Sequence, residues 1–369
     1  MLDFRKTLQR LCAFAILLGL ALGAFPAQAP AAETAAIVVD MESGAILYGD
    51  AIDRTTQPAS LAKMMTLYLT FEALKEKRLH PETRLKASAH AARQRPSRLG
   101  LRRGDTINVH ESILALVTKS ANDASVVLAE ALAGSEVRFA ERMTEKAKTL
   151  GMENTQFRNA SGLPNKKQLS TARDLALLAG ALFRDFQEYA PYFRAETFHF
   201  KGRTYQNHND FLKNYPGADG IKTGYVRASG YNLAASVKRD GKRLIGIVLG
   251  ENSAKARERR MQSLFDRAFR TAAILDHSWE IQVGDVARLA TAHLVASSAA
   301  RRVPDLLHWA DLTISPVRDE QGTRYRARFL GIGESLARKA CENLQANGIA
   351  CNIVSPFQAN LVARAWTRP

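Results

Sequence analysis

Ser60 and Lys63, in Pro58-Ala59-Ser60-Leu61-Ala62-Lys63-Met64-Met65-Thr66, are the first residues whose types and spacing could do chemistry. A serine hydroxyl becomes a nucleophile when a base takes its proton. A lysine is such a base when burial or a second cation lowers its pKa. Pro58 suits the first turn of a helix, where its missing N–H is no loss. The apolar run through Leu61, Met64, Met65, Leu67, Leu69 and Phe71 predicts a buried helix that continues to Leu79 and stops before Pro81. Side chains three apart on a helix share a face, so Ser60 and Lys63 would meet there. Taken alone, the pair reads first as an N-capping serine beside a surface lysine, and only later motifs overturn that default.

Other segments must hold such a pair in place. Thr34 to Asp40 and Gly44 to Tyr48 read as a hairpin leading into the Ser60 helix. Arg93 to Arg103 carries five arginines beside Pro96 and Gly100 and reads as a loop or strand edge. Asn108 is a candidate helix cap, and a second apolar helix follows Lys119-Ser120-Ala121-Asn122-Asp123 and ends at Gly134. Phe139 to Leu150 reads as an amphipathic helix; Thr171 caps another, with Asp174 at its third position. Tyr231 to Val237 and Arg243 to Leu249 are strands joined by Arg239-Asp240-Gly241, and Ala254 to Leu275 is a basic helix. Helices packed on an antiparallel sheet make an α+β domain. From Trp279 to Val354 the pattern becomes β-α-β-β-α-β, a small ferredoxin-like module.

The first residues read as neither domain. Arg5, Lys6 and Arg10 precede an apolar run to Phe25, then Ala27-Gln28-Ala29-Pro30-Ala31-Ala32, the pattern of a secretory signal peptide over 1–31. The catalytic candidates then fall in 32–276 and the small module in 277–369. No later run is long enough to cross a bilayer. Net charge is +16 and pI near 9.9, which points to an anionic partner. Export and the lack of an aromatic-interleaved basic patch argue against nucleic acid and favour an acidic wall polymer or a peripheral membrane surface. Cys341 and Cys351 are either bridged or two buried thiols. His208 and His90 stand isolated, and neither a metal nor a cofactor is expected.

Three motifs stand in order: Ser60-Leu61-Ala62-Lys63, Ser120-Ala121-Asn122 and Lys222-Thr223-Gly224. This set is that of the penicillin-binding proteins and class A β-lactamases. More narrowly, residues 34 to 275 resemble the low-molecular-weight serine D-alanyl-D-alanine carboxypeptidases. The supporting stretches are Asn159-Ala160-Ser161-Gly162-Leu163-Pro164, Ser170-Thr171-Ala172-Arg173-Asp174, Pro216 to Tyr225, and Ser229-Gly230-Tyr231-Asn232-Leu233.

The resemblance implies roles. Ser60 attacks the carbonyl between two terminal D-alanines, with Lys63 as base and Ser120 relaying the proton to the leaving amine. Asn122 contacts the substrate backbone, while Lys222 and Thr223 take its terminal carboxylate on a strand edge. Gly224 allows close approach, and the N–H groups of Ser60 and Tyr225 form an oxyanion hole. Arg257 matches the arginine that also serves the carboxylate; a solvated helix face is its other reading. β-Lactams would acylate the same serine. Tyr225-Val226 and Lys167-Gln168 depart from the usual pattern, and the usual β-rich second domain and amphipathic C-terminal anchor are not visible. Residues 278 to 356 instead resemble a SPOR domain, a binder of bare glycan strands at division sites, in which Cys341 and Cys351 could be bridged. The expected activity is periplasmic D,D-carboxypeptidase; the alternatives are a D,D-endopeptidase, a β-lactamase, for which only Glu153 offers a carboxylate, and an inactive wall-binding protein.

Overall fold

The computed structural model describes residues 33–276, 279–308, 310–319 and 322–355. The signal-peptide reading of 1–31 and the segment after Ser355 lie outside these residues. In chain order the elements are β1 (Ala35–Asp40), β2 (Ile46–Asp50), a 3-10 turn (Ala59–Ala62), α1 (Lys63–Lys75), β3 (Arg84–Lys86), α2 (Ala89–Ala92), β4 (Thr106–Asn108) and α3 (Val109–Leu114). After a π turn (Ala115–Lys119) come α4 (Asn122–Ala133), α5 (Glu136–Thr149), α6 (Ala172–Asp185), β5 (Thr197–Phe200), β6 (Arg203–Gln206) and α7 (Asp210–Asn214). The hairpin strands β7 (Ala218–Val226), β8 (Gly230–Arg239) and β9 (Lys242–Glu251) precede α8 (Ala254–Asp276).

A five-stranded antiparallel sheet in the order β2-β1-β9-β8-β7 is the scaffold. Its central strands β1, β8 and β9 are buried along continuous runs because both of their faces are covered. Along β1, Ala35, Ile37 and Val39 enter one core with α1, α4 and α6, whereas Ala36 and Val38 enter a second with Met261, Leu264 and Phe265 of α8. The period of two divides the strand between two helical layers. β2 and β7 are the two sheet edges, and β7 faces the turn that carries Ser60.

Caps fix where the helices begin. Asn108 and Glu111 form a reciprocal capping box at α3, and Thr171 Oγ1 accepts from Asp174 N at 3.1 Å to start α6. α1 is shorter than its apolar pattern predicts: it ends at Lys75, because Lys77 adopts φ 59° and turns the chain.

After α8, β10 (Trp279–Val286), α9 (Leu289–Arg302), α10 (Pro304–Leu307), β11 (Asp311–Asp319), β12 (Gly322–Ile332), α11 (Glu334–Ala346) and β13 (Asn352–Val354) complete the elements. The strands form an antiparallel sheet in the order β11-β12-β10-β13. Ile281, Val283, Ala327 and Phe329 pack with Ala292, Ala296 and Ala299 of α9 and Ala340 and Leu344 of α11. The alternate residues Glu280, Gln282, Arg326 and Arg328 occupy the opposite face. Cys341 on α11 and Cys351 before β13 are joined by a disulfide, with Cα atoms 5.2 Å apart. The bridge ties the last strand to its helix where the module's core is small.

Candidate active site

Ser60 lies in the 3-10 turn directly ahead of α1, not within the α-helix. The turn presses against β7 so closely that a Cβ built on Gly224 would sit 3.1 Å from Ser60 N and 3.3 Å from Leu61 N. Gly224 therefore sets the spacing between the nucleophile and the strand edge, and it brings the Tyr225 backbone beside Ser60.

Lys63 begins α1 and is fully buried. Its Nζ lies 2.5 Å from Ser161 O, 2.7 Å from Asn122 Oδ1 and 3.2 Å from Ser60 Oγ. Burial drives its pKa well below the ordinary lysine value, and the Lys222 cation adds to this. A neutral amine has two N–H donors and one lone pair. In that form the two donors would go to the two carbonyl-type acceptors, leaving the lone pair for the Ser60 hydroxyl.

Ser120 and Asn122 arrive from the opposite side. The π turn closing α3 ends at Ser120, which holds a left-handed conformation (φ 58°, ψ 37°) before α4 starts at Asn122. π turns and non-glycine left-handed residues concentrate at functional sites, where surrounding packing offsets the local strain. Ser120 Oγ is buried, and among the described residues it has no hydrogen-bond partner. Asn122 is tied on both sides of its amide: Oδ1 accepts from Lys63, and Nδ2 donates to Arg95 O at 2.8 Å.

Lys222 pairs with Ala234 in the β7–β8 ladder and points into the same buried face as Gly224, while Thr223 and Tyr225 face the other way. Burial, and then the Arg257 cation, lower the Lys222 pKa to about 7. Arg257, on the first turn of α8, is buried; its Nη2 donates to Glu258 at 2.8 Å, and its Nε is without a partner among the described residues. Ser60, Ser120, Asn122, Thr223, Gly224, Tyr225 and Arg257 line one cavity of about 310 Å³. Ser120 Oγ and Arg257 Nε, orphaned among the described residues, therefore belong to residues that line the same cleft as Ser60, with the buried Lys222 on the strand that walls it. This set suits acyl transfer to an anionic substrate.

Residues 24–253 match the profile of peptidase S11, described as D-alanyl-D-alanine carboxypeptidase. The chain belongs to this family. It is 35% identical over 240 residues to D-alanyl-D-alanine carboxypeptidase DacF of Bacillus subtilis, a match covering 63% of this chain and 61% of that protein. Against DacA of Escherichia coli K12 the identity is 35% over 242 residues, covering 63% and 60% of the two chains. The chain thus spans about three fifths of the length of these curated relatives. Among solved structures, penicillin-binding protein 5 of Haemophilus influenzae superposes with a TM-score of 0.63 at 31% identity, covering 72% of this chain and 76% of that one. Penicillin-binding protein D2 of Listeria monocytogenes in its cefotaxime-bound form gives 0.59 at 34% identity, over 64% and 96%.

In this S11 member the segment Asn159–Pro164 is the scaffold behind the base. Thr66 Oγ1 donates to Ala160 O at 2.7 Å, Asn159 Oδ1 accepts from Gly162 N at 2.7 Å, and Ser161 O receives Lys63. Gln168 is buried; its Oε1 accepts from Arg158 N and Asn159 N at 2.9 and 3.1 Å. Sequence reasoning attached no role to Ser161, because its contribution is a backbone carbonyl. Gly162 has φ +83°, and a Cβ there would lie 1.8 Å from Ala59 O. Gly162→Ala is expected to destabilise the protein by about 3 kcal/mol or more and to abolish penicillin labelling. A variant with an unchanged melting temperature and full labelling would show that the loop is not needed there.

His208, read from sequence as isolated, lines the cleft with Asp210. Its pKa is lowered by desolvation and by Lys119 and Lys222, so it is the neutral neighbour of a cationic cluster. Glu153, the one β-lactamase-like carboxylate, lies exposed in a turn after α5 and does not line the cavity. Among the described residues no group of three or more His, Cys, Asp and Glu could hold a metal. No helix among them is long and apolar enough to cross a membrane.

Proposed function

We propose that this protein is a serine D-alanyl-D-alanine carboxypeptidase that trims peptidoglycan pentapeptide stems in the cell envelope. The observation that carries the reading is the fully buried Lys63 Nζ, placed 3.2 Å from Ser60 Oγ and held by Ser161 O and Asn122 Oδ1. Lys63 takes the Ser60 proton as Oγ attacks the carbonyl carbon between the terminal D-alanines. The oxyanion that forms lies against the N–H groups of Ser60 and Tyr225, each donor typically worth about 3 kcal/mol. Ser120, whose Oγ is otherwise unpartnered, passes the proton from Lys63 to the leaving amine, and the C–N bond breaks. Lys222, Thr223 and Arg257 hold the carboxylate of the departing D-alanine. Water then hydrolyses the Ser60 ester and frees the enzyme.

β-Lactams would acylate Ser60 by the same route, in keeping with the cefotaxime-bound relative. The basic leader and its apolar run support export to the periplasm. The βαββαβ order and the strand order of the second sheet support a ferredoxin-like, SPOR-like module, whose open face bearing Gln282, Arg326 and Arg328 would meet glycan strands.

Digestion of purified peptidoglycan, read by mass spectrometry of the muropeptides, tests the reading. Pentapeptides losing one alanine while crosslinks stay whole is the expected result. Crosslinked dimers falling to monomers would make it an endopeptidase with the same Ser60 and Lys63. No change in either, despite penicillin labelling, would overturn the catalytic reading.

A further inference from the structure

The wall of the cleft beside Asn122 is the segment from Arg93 to Leu101. Pro96 and Ser97 line the cavity. Asn122 clamps the segment from one side: Nδ2 donates to Arg95 O at 2.8 Å and the backbone N–H to Ser97 O at 2.7 Å. Ser97 Oγ donates to Lys119 O at 2.7 Å. Asp123, fully buried, holds the far end by accepting the N–H groups of Leu99, Gly100 and Leu101 at 3.0, 2.8 and 3.1 Å. The loop is therefore a fixed part of the site.

Its outward side chains are cations. Arg93, Arg95 and Arg98 are exposed, and among the described residues none of the three has an ion-pair partner. Arg98 spends one N–H on Gln94 O at 3.1 Å; the others make no side-chain hydrogen bond there. The nearby carboxylates are already engaged, Asp123 by the three N–H groups, Glu136 by His90 at 2.6 Å and Asp105 by Lys201 at 2.8 Å. Like charges gathered without counter-ions on a rigid wall raise the local potential and are relieved by an anionic ligand.

On the carboxypeptidase reading, a substrate with its leaving carboxylate at Lys222, Thr223 and Arg257 would carry its acyl portion past Asn122 and beside Pro96 and Ser97 of this wall, where the exposed arginines of the same loop stand. We propose that Arg93 and Arg95 form a subsite for free carboxylates upstream of the scissile bond, so that the protein selects acidic stem peptides over stems with amidated side carboxyls. The proposal rests on the carboxypeptidase reading. A γ-linked glutamyl residue leaves its α-carboxylate free, and a diamino acid with two carboxyls adds another, so an unamidated stem offers the anions this wall would take. An amidated stem keeps the shape and loses the charge.

The test is release of D-alanine from two synthetic pentapeptide stems of one sequence, one with free side carboxylates and one with them amidated. For the natural protein at low salt, KM is expected to be roughly fivefold lower for the acidic stem, and this preference is expected to vanish near ~0.5 M salt. In an Arg93→Gln/Arg95→Gln variant, with Arg98 kept because it braces the loop backbone, the ratio of the two KM values should approach one. Arg93→Gln alone should fall between the two. Equal KM values for the natural protein, or a preference that survives in the double variant, would overturn the subsite while leaving the carboxypeptidase intact. Failure to release D-alanine from either stem would overturn both.

Discussion

Lys63→Gln is expected to lower the rate of acylation by a fluorescent penicillin about a thousandfold or more, with Ser60 untouched. The amide cannot take a proton, and among the described residues Lys63 is the titratable side chain bonded to Ser60 Oγ. Lys63 Nζ is 3.2 Å from Ser60 Oγ, whereas His208, whose pKa is lowered, has no hydrogen bond to Ser60 among the described residues. The fold should survive, because replacing a buried amine by a neutral polar group removes a desolvation cost. Undiminished labelling of a folded Lys63→Gln protein would remove lysine from the mechanism. In the natural protein, acylation by a carboxylate substrate should fall at acid pH as Lys63 gains a proton. kcat/KM should also fall above about 7, as Lys222 loses its proton in the free enzyme. Bound carboxylate favours the charged form of Lys222, so the alkaline limb of kcat should lie at higher pH than that of kcat/KM. Because the two lysines interact, the limbs belong to the pair.

The second large effect is on stability, and it runs opposite to activity. Lys222→Met is expected to raise the melting temperature by about 5 °C or more at pH 7 while removing capture of carboxylate-terminated substrates. Burial and Arg257 bring the Lys222 pKa from 10.5 to about 7. Between those values the unfolded chain binds the proton and the folded chain does not. Folded stability therefore rises with pH across that window, and the cost of burying Lys222 is greatest at and below about 7. Methionine fills similar volume with no charge to desolvate, at the loss of one bond from Nζ to Thr223 O at 2.9 Å. The gain should shrink towards pH 10, where the natural lysine is neutral in both states. A variant that melts no higher than the natural protein at pH 7, or whose gain grows with pH, would mean that Lys222 is not held at a cost. On the proposed function the burden has a use: the same buried cation also lowers Lys63 and would meet the substrate's carboxylate.

Much of this was legible in the chain. The residue types at Ser60, Lys63, Ser120, Asn122 and Lys222, their order, and the local signals around them specify an acyl-transfer set. The reason is that nucleophile, base and cation are side-chain properties and their spacing along one helix or strand is local. The caps at Asn108 and Thr171, the hairpin of β8 and β9, and the order of the last module follow from periodicity and turn chemistry of the same local kind. What the sequence could not contain is everything carried by backbone atoms and by distance in space. Ser161 O, which takes one of the two Lys63 donors, has no residue signature, since any residue offers a carbonyl. The left-handed turn at Ser120 is imposed by the packing of α3 and α4 around it. His208, isolated along the chain, reaches the cleft because the segment between β6 and α7 is pinned there, with Asn207 Nδ2 bonded to Ala195 O at 2.8 Å. The depressed pKa values belong to the same class, because desolvation exists only once the α1 helix and the β7 edge have closed over the two amines. The sequence by itself determined which groups could react; tertiary structure alone decided their protonation, since burial and the Lys63–Lys222–Arg257 proximity are properties of the assembled core.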